Sequence, residues 1–243
     1  MAGQRDGEPT IVWERPEPPS RAALSPLSRE SIVRAAIGLA DAEGLDAVSL
    51  RKVAAVLDAG PMRLYGYLST KEELLALMAD AVYGEIPAPG AGLDWRGALH
   101  FLAHQTRNAA RRHEWFADLL GGRPALGPHA MARTEALLAA LDGVAGFEDI
   151  NTVMHAGRAV SAYLIGAIRT EIAELRAERA TGKDKARWQA AAGPYVVRML
   201  ATGRFPATAK MIRDADDPSP DAAFDAGLDY VLDGIAARVL TDG

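Results

Sequence analysis

His100 and His104, in the segment HFLAH, lie four residues apart and give the chain its most metal-like spacing. Two histidines on one helix face can hold a divalent ion when a third ligand arrives from elsewhere. A zinc hydrolase of the HExxH type needs Glu in the second position as its general base, and Phe101 stands there. Cysteine is absent, which excludes disulfides, thiol catalysis and cysteine-ligated zinc. No Ser/His/Asp order, paired carboxylate or glycine-rich phosphate loop stands out. The residues therefore point away from enzymatic chemistry and call for no cofactor or resident metal. A helical metal-binding protein or enzyme using His100 and His104 stays open as the alternative.

The same helix offers a second chemistry. His104, Gln105 and Asn108 fall on neighbouring turns, and Trp115 and Phe116 follow soon after. Polar groups scattered among aromatic rings suit a cavity for a drug-sized molecule. Met131, Glu135 and Leu138 on the next helix, with Met154, His155 and Arg158 on a longer one, can complete its wall. Methionine adapts to varied ligand shapes. A packed core with a few satisfied polar residues is the plain alternative for each.

A third chemistry lies nearer the amino end, in SLRKVAAVLDAGPMRLYGYLSTK, residues 49–71. Ser49 suits a helix cap, and Val53, Ala54 and Leu57 share a face at helical spacing. Asp58-Ala59-Gly60 breaks the pattern, and Pro61 suits a first helical position. Leu64 and Leu68 continue inward, which leaves Met62, Arg63, Tyr65 and Tyr67 to face out. Such a face is odd for a solvated surface and apt for one that meets a partner. Two short helices joined tightly form the arrangement that enters the DNA major groove. Ser28 caps a preceding helix bearing Ile32, Val33, Ala36, Ile37 and Ala40, and Thr70 with Glu73 makes a capping box for the helix that follows.

Residues 27–82 closely resemble the head of the tetracycline-repressor (TetR) family of bacterial regulators. The likeness is strongest at Ala40, Gly44, Leu50, Val53, Ala54, Leu57, Leu64, Tyr65, Lys71 and Leu74. GRPALGPHAMARTEALLAAL (122–141) and FDAGLDYVLDGI (224–235) look like the ligand-binding domain of the branch that contains the tetracycline repressor itself. The resemblance implies a homodimer that occupies a palindromic operator and leaves it when a small hydrophobic or aromatic molecule binds. By match to family positions, Arg51, Pro61, Met62, Arg63 and Tyr65 would face bases, while Ser49, Tyr67 and Lys71 would hold phosphates. Residues around Gly121–Arg123 differ from the family's pocket, so tetracycline with magnesium is not the expected effector. Two further departures are Asp58, where Gly is the common turn residue, and Gly66, where a larger polar or aromatic residue is usual.

Composition agrees with a DNA-binding head on an acidic body. Net charge is −5 overall, yet residues 1–71 hold 9 basic and 9 acidic side chains, which puts the whole negative balance in the remainder. A local basic patch suffices for DNA. Strand-like alternation is scarce and turn signals are widely spaced, so the fold class is all-α: a three-helix head carrying the helix-turn-helix, then a larger helical body for ligand binding and dimerisation. The division expected is a flexible arm over 1–26, a DNA-binding domain over 27–72 and a body over 73–243. The arm holds Pro9, Pro16, Pro18, Pro19 and Pro26, and either Arg15 or Arg21 is placed to enter the minor groove. Trp13 favours some docking role for it. Broad small or apolar faces over 149–180 (Ala159, Ala162, Tyr163, Gly166, Ala167) and 222–240 (Phe224, Leu228, Val231, Leu232, Ile235) suggest a dimer through a four-helix bundle, with burial inside one chain as the alternative. No apolar run approaches the length of a membrane span and no signal peptide is evident, so a cytoplasmic location is expected.

Overall fold

The structure is a computed structural model that describes residues 11–18, 27–122 and 125–241. Among these, every regular element is helical: α1 (Arg29–Glu43), a 3-10 turn (Leu45–Ala47), α2 (Leu50–Val56), α3 (Pro61–Leu64), α4 (Lys71–Gly84), α5 (Trp95–Arg112), α6 (Phe116–Leu119), α7 (Pro128–Ala139), α8 (Ile150–Thr181), α9 (Lys185–Ala201), α10 (Pro206–Asp214) and α11 (Pro220–Thr241). No described helix is long and apolar enough to cross a membrane.

The helix starts are written in short polar side chains. Ser28, Ser49, Thr70, Asp94 and Asp184 each accept a backbone N–H three residues on, as caps do. Ser28 and Ser31 reciprocate in a capping box. At α4 the expected box is rerouted. Thr70 accepts from the Glu73 backbone N–H at 3.1 Å, but the Glu73 carboxylate accepts from the Ser69 backbone N–H at 2.6 Å. Asp58 sits at φ 48°, the left-handed conformation an Asp tolerates in a turn. The sequence pattern missed α10, none of whose residues is buried.

Two compact units divide the chain at Gly157/Arg158. The first unit joins the head to α4–α7, because α4 packs on α1 on one side and on α6 and α7 on the other. The first unit's core comprises Ile32, Val33, Ala36, Val53, Ala54, Leu64, Leu68, Leu74 and Met78 around the head, then Leu99, Leu102, Trp115, Phe116 and Leu137. In the second, Val160, Leu164, Ile168 and Ile172 of α8 and Phe224, Leu228 and Leu232 of α11 are buried. Tyr163 joins these two helices, its hydroxyl donating to the Phe224 carbonyl at 2.6 Å.

Residues 11–18 are not a loose arm. Val12 is buried, Arg15 forks onto Glu73 at 2.7 and 3.0 Å and reaches Ser69 Oγ at 3.0 Å. Arg29 ties the same stretch down by donating to the Arg15 carbonyl at 2.6 Å and to the Tyr67 carbonyl at 3.1 Å.

Candidate functional site

The helix-turn-helix is built from α2, the turn at Asp58 and α3. Val53, Ala54 and Leu64 are fully buried, so the two helices cross on small and apolar atoms and the opposite face turns outward. Met62 is 79% exposed and Tyr65 51%, with Pro61, Arg63 and Arg51 exposed beside them. Ser49 and Lys71 stand at the flanks, half-buried, at the first turns of α2 and α4. An apolar thioether, a guanidinium and a phenol on one solvent face contribute nothing to the core and are groups suited to base-edge and phosphate contacts.

Tyr67 departs from the expected role. It is only 6% exposed, and its hydroxyl donates to the Leu27 carbonyl at 2.7 Å, so it clamps the entry to α1 and does not hold a phosphate. The cause is helical phase: α3 ends at Leu64, and the turns at 65–67 swing Tyr67 inward beside Leu68. Arg15 is likewise committed to the head through Glu73. That pairing holds the Glu73 carboxyl below its usual range, chiefly by the hydrogen bond from Arg15. Arg21 lies outside the described residues. Gly66 explains its own departure from the family pattern. A Cβ there would stand 3.3 Å from Pro18 Cγ, so glycine leaves room for the amino-terminal segment to lie against the reading turn.

The effector residues divide differently from expectation. His104, Gln105 and Asn108 lie half-exposed along α5. The His100 and His104 rings are parallel within 19°, centroids 6.4 Å apart. Among the described residues of the first unit, no third His or carboxylate joins them at ligand distance. Trp115 is 2% exposed, and its indole N–H donates to Asp41 Oδ1 of α1 at 2.6 Å. His113 adds to this joint, Nδ1 lying 2.8 Å from Asp41 Oδ1 and Nε2 3.2 Å from Glu85 Oε1. Trp115 is thus a strut between the head and α6. Phe116 is fully buried, its ring edge-on to Tyr83 at 5.0 Å.

On α7 the sequence reading placed the inner face about one residue out of phase. Met131 and Glu135 are exposed and Leu138 is half-buried, while Ala130 and Leu137 are buried. Arg133, on that inner side, was missed; a lone Arg spaced i+3 and i−4 from buried Ala130 and Leu137 is the signal that marks it. Met154, His155 and Arg158 also face outward, since Val153, Ala156, Gly157 and Val160 carry the buried stripe of α8. Asp80, buried in α4, was missed too. Its Oδ1 accepts from the Ala130 backbone N–H at 2.9 Å and caps α7, whose own N-cap, Gly127, offers no side chain.

Residues 86–239 match the model of the tetracyclin repressor-like C-terminal domain. The chain is 36% identical over 233 residues to the HTH-type transcriptional repressor DrrR1 of Streptomyces coeruleorubidus, covering 94% of this chain and 84% of that one. Its fold is similar to ActR of Streptomyces coelicolor in complex with actinorhodin, with TM-score 0.72, 26% identity and coverage of 88% and 99%. It is also similar to BioQ with its double-stranded DNA operator, with TM-score 0.55, 26% identity and coverage of 64% and 93%. A helix-turn-helix with an outward Met/Arg/Tyr face, joined to an all-helical body matched over nearly its whole length, leaves one assignment: the chain belongs to the TetR family of DNA-binding, ligand-responsive transcriptional regulators and is not an enzyme.

Proposed function

We propose that the chain is a homodimeric repressor whose two α3 faces occupy successive major grooves of a palindromic operator, and that a small aromatic molecule bound among α4–α7 releases it. The observation that carries this is the α3 face. Met62 and Arg63 are exposed on α3 and Tyr65 at its C-cap, while Leu64 alone of the helix is buried and locks it into the head. Arg51, Pro61, Met62, Arg63 and Tyr65 contact bases; Ser49 and Lys71 contact phosphates. BioQ was solved on its operator and ActR with actinorhodin, which supports both halves of the reading. Dimerisation through α8 and α11 is supported by exposed Ala159, Ala162, Gly166 and Tyr230, the last 80% exposed. Phe224, Leu228 and Leu232, by contrast, are covered within the protomer and belong to its own core.

Fluorescence anisotropy on the DNA upstream of the protein's own gene, against shuffled DNA over a salt series, tests the reading. Arg63→Ala should reduce discrimination between operator and shuffled DNA by roughly 1–3 kcal/mol, while Lys71→Ala weakens both alike and lowers the salt slope by about one. Equal losses on both DNAs for both variants would remove the assignment of roles.

A further inference from the structure

Arg133 projects from the inner side of α7 into the region bounded by α4 and α5. Its Nε donates to Thr106 Oγ1 at 3.3 Å, and the buried Thr106 hydroxyl in turn donates to the Leu102 carbonyl at 2.7 Å, which fixes the guanidinium's orientation. Among the described residues, no carboxylate pairs with Arg133 and its two terminal nitrogens have no protein acceptor. The one charged or ionisable neighbour it feels is Tyr83 of α4, whose hydroxyl likewise has no hydrogen-bond partner among the described residues. Neither group is sealed from solvent: the only fully enclosed side-chain N or O lacking a partner among the described residues is Trp13 Nε1.

Burial lowers the readiness of Arg133 to carry its charge and raises the Tyr83 phenol above its ordinary pKa, so the phenol stays a neutral O–H donor. A guanidinium stays protonated even so. Holding a half-buried cation with no counter-ion is unfavourable unless something else supplies the negative charge. The planar fork of Arg matches an anionic oxygen pair better than any other side chain.

We propose that Arg133 is the anchor for an anionic oxygen of the effector, and that the molecule sensed is therefore a small aromatic acid: a carboxylate, or an ionised phenol or enol. The anion lies on the terminal nitrogens of Arg133, the Tyr83 hydroxyl donates to the same group, and Thr106 keeps the fork aimed. The Tyr83–Phe116 ring pair lies beside this end of the site. The inference rests on the effector-binding reading above and specifies the chemistry of its ligand.

The test uses three matched pairs of probes: benzoate, 2-naphthoate and 2-anthroate, each against its carboxamide. Binding is read by calorimetry on the full-length protein, and operator binding without probe is read by anisotropy on the same samples. The wild type should bind at least one acid about tenfold or more tightly than its amide. Arg133→Met should abolish that preference, Arg133→Lys should keep part of it, and Tyr83→Phe should reduce it, all with unchanged helical circular dichroism. Absence of an acid preference in the wild type, including failure of every probe to bind, overturns the inference, as does a preference that survives in Arg133→Met. Selective operator binding alongside either result leaves the regulator reading standing. Loss of operator binding by the wild type itself refutes that reading separately.

Discussion

Gly127→Ala should damage the protein more than any other single methyl addition in the first unit, and the damage should depend on Asp80. A Cβ at Gly127 would stand 2.2 Å from both Cγ and Oδ1 of Asp80 and 2.7 Å from its Cβ. Asp80 cannot yield without leaving the Ala130 N–H that it caps at 2.9 Å. Overpacking costs about 1–3 kcal/mol, and loss of a cap about 0.5–2 kcal/mol. Together the variant should lose about 1.5–5 kcal/mol, or several degrees of Tm at about 2–4 °C per kcal/mol for a chain of this size. Asp80→Ala alone loses the cap but removes a buried carboxylate, so it should cost less. In that background the two closest atoms are gone and only the Cβ at 2.7 Å remains, so the added methyl should be better tolerated by at least about 1 kcal/mol. Urea unfolding of all four proteins at one fixed concentration measures the cycle, the concentration being held because the stability of the proposed dimer depends on it. Additivity within about 0.5 kcal/mol would refute the argument that Asp80 and Gly127 share one space.

Other outcomes follow from the head. Tyr67→Phe removes the hydroxyl that donates to the Leu27 carbonyl; it should destabilise the head by about 1–2 kcal/mol and leave DNA affinity, read where the variant is fully folded, unchanged, whereas loss of a phosphate contact would weaken operator and shuffled DNA alike. The Arg15–Glu73 pair predicts an acid limit. Glu73 is held below its usual value of 4.5, so the pair's stabilisation is complete above about pH 4.5 and is lost as pH falls through the lowered value. The stability difference between wild type and Arg15→Gln should therefore be constant above that pH and shrink below it, and a difference independent of pH would contradict the pairing.

Much of this was legible in the sequence because caps and turns are local chemistry. Ser28, Ser49, Thr70 and Asp58 each announce their place within three or four residues, and the helix-turn-helix follows from them. The outward face of α3 was legible for the same reason, as far as Leu64. Beyond it, Tyr67 was misread because helical phase was extended past the end of the helix. The candidate effector region was less legible because its contacts join segments far apart in the chain: Asp80 with Ala130, Thr106 with Arg133, Asp41 with Trp115. Short residues such as Ala, common throughout α7, give a weak apolar stripe, so the inner face was placed on Met131 and Glu135 when it runs through Ala130 and Leu137. Gly66 was seen as a departure, but its reason, Pro18, lies 48 positions away.

The contact of Trp115 and His113 with Asp41 has a mechanical consequence. The head is continuous with the body through α4, and Asp41 gives it a second fastening, on a different helix, to the α5–α6 corner. A rigid part fixed at one point can swing in any direction; fixed at two, it turns only about the line that joins them. Any movement of the head that keeps both fastenings is therefore a rotation about one axis. In the dimer proposed above, a single axis of turning confines any change in head spacing to one coordinate, which is what an on–off device for a double-stranded target requires.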